Sequence, residues 1–242
     1  MTRIRIIGLA LGVVFAVMVV ASASALAAEN PILVNSSGVA FNGTVTGESK
    51  AGFVPTLQTT ATGAAQIECT ASKGKGTVTT TKTGTGMTSG VGTVTFTGCK
   101  TAAGKCGNTA TTGEITGTVS TLLVWVGKES AKKPGVLTSI LPFTGANRGQ
   151  NALLSFTCSS ELVDVEGAFI AASSRALNEK FTTAIGVANA TEGKQELTEY
   201  TENGKEGTNT LYSNQNHGAF SKAGESGEGL GTFSEEVEIT EN

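Results

Sequence analysis

The feature that most constrains this chain is its rhythm: short runs rich in Val, Ile, Thr and Phe, each broken by clusters of Gly, Asn or Lys. Such runs suit a pleated, half-buried surface, and the glycines supply the backbone angles of tight turns. The runs predict strands over 39–46, 52–60, 65–71, 76–83, 92–97, 113–119, 121–126, 136–143, 152–158, 162–171, 181–188, 208–213 and 231–239. Turns are predicted at Lys73-Gly74-Lys75-Gly76, Gly127-Lys128-Glu129, Lys133-Pro134-Gly135 and Asn203-Gly204. Only Ser173–Lys180 offers a turn or two of helix, and no amphipathic helical window competes with the strands. The pattern excludes the alternating helices of a parallel α/β sheet. It predicts an all-β, antiparallel β-sandwich-like domain with short strands and long loops.

Alternation identifies the dry face. In Leu162-Val163-Asp164-Val165-Glu166 the valines point one way and both acids the other. Val237 and Ile239 oppose Glu236 and Glu238 in the same manner, and Val94 and Phe96 share a face opposite Thr95 and Thr97. Thr121–Val126 is apolar on both faces, which marks it as a central strand and makes Trp125 a partly buried residue.

The N-terminus reads as an address. Arg3 and Arg5 precede an uncharged apolar stretch from Ile6 to Val20, and Ala25-Leu26-Ala27 offers the small residues that a signal peptidase reads. Residues 1–27 are therefore expected to be a cleaved signal peptide, and 28–242 a single exported β-domain, secreted or associated with the cell envelope. The competing reading is a retained anchor, since Ile6–Ala28 is about long enough to span a bilayer. No stop-transfer charge follows it, and no second apolar run of spanning length occurs.

Export sets the expectation for the four cysteines, Cys69, Cys99, Cys106 and Cys158. Their irregular spacing lacks the paired C-x-x-C of a zinc site, and an even number outside the cytoplasm points to two disulfides. Three connectivities exist. The expected one is Cys99–Cys106, closing a Gly- and Lys-rich turn, with Cys69–Cys158 joining two distant strands.

Charge is segregated. Residues 192–242 hold eleven glutamates and three lysines, whereas 28–191 hold twelve basic and nine acidic residues. The Gly- and Asn-rich stretch 201–231 is expected to be a long loop or flexible segment before a closing strand. No basic patch interleaves with aromatic residues, so nucleic acid is not expected as a partner.

Several motifs fail on context. Leu141-Pro142-Phe143-Thr144-Gly145 matches a wall-sorting pentapeptide, yet 97 residues follow it and the end is polar and acidic. Thr-x-Thr recurs at Thr44/Thr46, Thr77/Thr79, Thr93/Thr95 and Thr116/Thr118. Flat threonine arrays on a regular solenoid bind ice, but intervals of 33, 16 and 23 residues fit no fixed coil. Solvated strand faces favour threonine in any case. Asp164 and Glu166 would stand about 7 Å apart on one strand, near the separation of an inverting glycosidase pair. Catalysis would need one of them held at a raised pKa in an apolar setting, whereas alternating valine and acid is what any half-exposed strand looks like, and that reading is favoured. The single histidine, His217, lies in a turn-like stretch without a serine elbow. No metal site, cofactor or catalytic residue is expected.

Beyond these single features, the order of landmarks resembles a group of exported, Thr/Gly-rich, disulfide-containing β-proteins of actinobacterial type with no established activity. It comprises the signal peptide, Ile67-Glu68-Cys69, the Thr-Val-Thr-Phe-Thr-Gly-Cys run ending at Cys99, and Lys105-Cys106. Gly113–Gly117, Leu153–Cys158 and Phe233–Ile239 complete it. The resemblance implies an exported, disulfide-bonded β-domain and nothing catalytic. The expected function is a non-enzymatic structural, adhesive or ligand-binding module of the envelope or exterior. The alternatives are an extracellular hydrolase working through Asp164 and Glu166, and a sugar-binding module displaying Trp125, Tyr200 or Tyr212.

Overall fold

The computed structural model describes residues 29–59, 66–109, 111–127, 133–140, 154–216 and 218–242. The signal peptide, the 141–145 motif and His217 lie outside the described residues. The first strands are β1 (Pro31–Asn35), β2 (Asn42–Ser49), β3 (Thr56–Thr59), β4 (Ile67–Glu68), β5 (Ala71–Thr81) and β6 (Met87–Thr97). There follow β7 (Lys100–Thr101), β8 (Gly104–Gly107), β9 (Glu114–Val126), β10 (Lys133–Ile140), β11 (Leu154–Cys158) and β12 (Glu161–Ser173). The last are β13 (Lys180–Ala188), β14 (Ala190–Thr191), β15 (Lys194–Gln195), β16 (Glu199–Glu202), β17 (Lys205–Thr208), β18 (Leu211–Gln215) and β19 (Ser221–Glu241).

The expected all-β, antiparallel, sandwich-like class holds. The connectivity adds that each sheet closes on itself. One ring runs β2–β5–β6–β9–β10–β12–β13–β19 and back to β2. The other runs β3–β4–β7–β8–β11–β12–β18–β19 and back to β3. Closure removes open edges, which are otherwise templates for aggregation. The rings share β12 and β19, which pass from one sheet to the other. Gly167 (φ 93°) stands in β12 and Gly227 (φ 151°) in β19 where each strand changes partners. At Gly167 any Cβ would come within 2.2 Å of the Thr210 carbonyl oxygen, so only glycine fits the crossing.

Each ring has its own core. Leu33, Phe41, Val45, Val78, Leu123, Phe181, Phe233, Val237 and Ile239 fill the first, and Phe233 meets Phe41 and Phe181 edge-on at 5.9 and 5.6 Å. Val94, Phe96, Ile115, Phe156, Val163, Val165 and all four cysteines fill the second. The two-sided apolar run expected at Thr121–Val126 has a physical cause. Leu123 points into the first core, while Leu122, Val124 and Val126 are covered from outside by Leu197 and Tyr200. Trp125 is buried, and its indole Nε1 donates to the Glu29 carbonyl at 2.6 Å.

Four expectations need correction. The stretch 201–231 is not a loop: it carries the end of β16, all of β17 and β18, and the first half of β19. Lys73–Gly76 is no turn but the interior of β5, and Lys133-Pro134-Gly135 opens β10, paired with β9. Ser173–Lys180 forms no helix but a turn with Asn178 at φ 60°. The strands are also longer than expected, with 13 residues in β9 and β12 and 21 in β19. The Asn203-Gly204 turn stands as expected, with both residues at positive φ.

The disulfide pairing also differs. The bonds are Cys69–Cys99 and Cys106–Cys158, and every described cysteine is paired. Register explains why. Glu68 pairs with Lys100, Lys100 with Lys105, and Cys106 with Cys158, so the four cysteines form one row across β4, β7, β8 and β11. Cys69 and Cys158 occupy opposite ends of that row, three strand spacings or about 14 Å apart, beyond any disulfide's reach. Cys99 and Cys106 are neighbours, with the Cys106 N–H donating to the Cys99 carbonyl at 2.9 Å, but each bonds its outer neighbour.

Candidate functional site

The four Thr-x-Thr pairs come together on the outer face of the first ring. Alternation forces them there: Val45, Val78 and Val94 are buried, so Thr44, Thr46, Thr77, Thr79, Thr93 and Thr95 point outward. Register then aligns residues from different strands. One row reads Thr232–Thr46–Lys75–Thr93–Thr118 across β19, β2, β5, β6 and β9. The next reads Thr44–Thr77–Val91–Ser120 across β2, β5, β6 and β9. Ser234 Oγ of β19 accepts from the Thr44 N–H at 3.3 Å. A third row, Glu48–Lys73–Thr95–Thr116, completes the face, with the Thr95 and Thr116 hydroxyls 3.0 Å apart. Members of a row stand about 4.8 Å apart and the rows about 6.8 Å apart.

Between the first two rows lies an open trough of about 360 Å³ lined by Thr44, Lys75, Gly76, Thr77, Val91, Gly92, Thr93 and Thr118. Gly76 and Gly92 face each other across β5 and β6 as its floor. A Cβ on Gly76 would lie 2.6 Å from the Val91 carbonyl oxygen, and one on Gly92 2.7 Å from that of Lys75. Lys75 is an exposed cation with threonines, not acids, opposite it on both neighbouring strands, whereas Lys73 lies opposite Glu48.

The second concavity is different. It is an enclosed void of about 40 Å³ within the second core, walled by residues such as Leu57, Ile67, Phe96, Leu154, Phe156 and Leu211, with Glu225 the acid in its wall. Ligand pockets usually measure about 300–1,000 Å³, so this void is a packing defect rather than a substrate site. Glu225 is buried, with its backbone held by Gln195 through donation to Gln195 Oε1 and acceptance from Gln195 Nε2.

Asp164 and Glu166 share the outer face of β12, as the alternation required, and Val163 and Val165 face the core. Asp164 is not half-exposed but buried, and it accepts from Ser155 Oγ at 2.6 Å on β11. Neither acid lines the trough or the void. Trp125 is buried, Tyr200 packs over β9, and Tyr212 stands half-buried beside Glu166, so the three rings form no common platform. A resolved titration shift lies elsewhere, at Glu179. The Ala176 N–H and the Arg175 guanidinium, 3.0 Å away, hold the Glu179 carboxyl below the usual range. Among the described residues, no group of three or more His, Cys, Asp or Glu is placed to hold a metal ion, and no helix is long and apolar enough to cross a membrane.

Comparison with protein-family models, with curated proteins and with solved structures returns no match.

Proposed function

We propose that the chain is an exported, non-catalytic binding module of the cell envelope or extracellular space, braced by its disulfides. The observation that carries this reading is where the two disulfides sit. The β4–β7 ladder has a single registered pair, the thinnest link of the second ring, and the β8–β11 ladder has only two; each is bridged by a disulfide. A ring closed in this way depends on an oxidising compartment. The trough supplies a surface for binding, and the two acids best suited to hydrolysis open onto neither concavity.

The test is intact-mass analysis of the protein recovered from fractionated cells. The expected species begins at Ala28, lies outside the cytoplasm and takes up no alkylating agent before reduction. An unprocessed, fully reduced chain in the cytosol would overturn the reading. The hydrolase alternative is tested with a panel of polysaccharide and ester substrates: turnover that disappears in Glu166→Gln would replace a binding module by an enzyme.

A further inference from the structure

We propose that the trough is the binding site of a linear acidic glycan, a polyhydroxyl chain carrying carboxylate or phosphate groups, laid across the strands. The proposal rests on the reading of the chain as an exported binding module and names the ligand of its exposed sheet face. Three observations converge on it. The channel is evenly walled, because its walls are two registered rows of side chains rather than loops. It crosses β2, β5, β6 and β9, a span of about 14 Å, so it suits an extended polymer better than a compact molecule. Its walls are mostly hydroxyls, which both donate and accept and so match the hydroxyls of a sugar chain.

Charge then selects among glycans. Lys75 stands in the middle of one wall with Thr46 and Thr93 opposite it, and the charge of Lys73 is offset by Glu48. The trough is built entirely from strands within residues 28–191, where basic residues are in excess, while the acidic excess belongs to residues 192–242. An anionic group at Lys75 would be held by a charge-assisted bond, with neighbouring threonines on the sugar hydroxyls. Each contact is weak and solvent-exposed, and repetition along a polymer raises the apparent affinity. Gly76 and Gly92 lie in the inward-facing row with Val45 and Val119, so the floor they give the trough is bare backbone. The same rows do not make an ice surface: Lys75 and Val91 interrupt them, and the wall of a closed ring curves.

The test is affinity electrophoresis of the processed, oxidised protein in gels holding polygalacturonate, poly(glycerol phosphate) or neutral dextran. Retardation is expected in an acidic gel and not in dextran, and the responding polymer distinguishes carboxylate from phosphate as the recognised group. Lys75→Gln should weaken retention about three- to tenfold, the range expected for one exposed charged contact. Thr77→Glu with Thr93→Glu should abolish it, and Lys105→Gln on the second ring should leave it unchanged, with melting curves confirming that each variant is folded. Equal retention in dextran, or no loss in Lys75→Gln, overturns the acidic assignment. Retention that survives the double glutamate variant overturns the site. If the folded, processed protein is retained in no gel, or shapes ice crystals instead, the glycan proposal fails while the exported, disulfide-braced module stands.

Discussion

Removing the Cys106–Cys158 bond is the most informative single perturbation, because register, energetics and compartment all meet there. The loop-entropy relation assigns about 4 kcal/mol to a bond closing 52 residues and about 3.6 kcal/mol to one closing 30. The β8–β11 ladder offers little to compensate, since only Thr157↔Gly107 and Cys158↔Cys106 are registered. The double variant Cys106→Ala/Cys158→Ala should therefore lose about 4 kcal/mol. For a chain of this size that is a fall in Tm of about 8–16 °C, measurable by scanning calorimetry. Non-reduced tryptic mapping checks the premise. Peptide 106–128 should be joined to 149–175, and peptide 51–73 to 83–100. A change in Tm below about 3 °C would refute the claim that the bond closes the second ring. Peptide 83–100 joined to 106–128 would refute the row of cysteines itself.

Two further outcomes follow from named positions. Gly167→Val should destabilise by about 2–4 kcal/mol in urea unfolding, because it combines a positive φ with a Cβ clash against Thr210; a loss under about 0.5 kcal/mol would mean that the β12 crossing tolerates side chains. Trp125 should emit in the blue and resist acrylamide quenching, and Trp125→Phe should cost about 1–3 kcal/mol by leaving the Glu29 carbonyl without its donor; ready quenching would place the indole at the surface.

Much of the fold is legible wherever side chains alternate. Val163, Val165, Val237 and Ile239 are buried as their spacing requires, and the two-sided run at β9 is covered on both faces. The misreadings share one cause, which is that glycine has two uses. In Lys73–Gly76 and along β19 its abundance suggests a turning chain, yet there it lets backbones approach. A Cβ at Gly76 would meet β6, and one at Gly224 would lie 2.5 Å from the Ala190 Cβ. Composition cannot separate the two uses, because the deciding neighbour is remote in sequence. The candidate site is half-legible for a related reason. The Thr-x-Thr pairs stand out, but their irregular intervals reflect hairpin and crossover lengths, and only cross-strand register shows that they form rows. The cysteine pairing is hidden likewise, since short separation along the chain says nothing about which neighbour in a row is bonded.

The pairing of β1 with the end of β19 sets how the molecule answers a pull. Pro31 lies opposite Glu241 and Asn35 opposite Val237, so the outer ends of both strands emerge side by side. Tension between those ends acts across the ladder, not along it, and the five registered pairs separate in succession like a zipper. The first strand thus peels away under modest load, while the cross-linked ring behind it holds its shape.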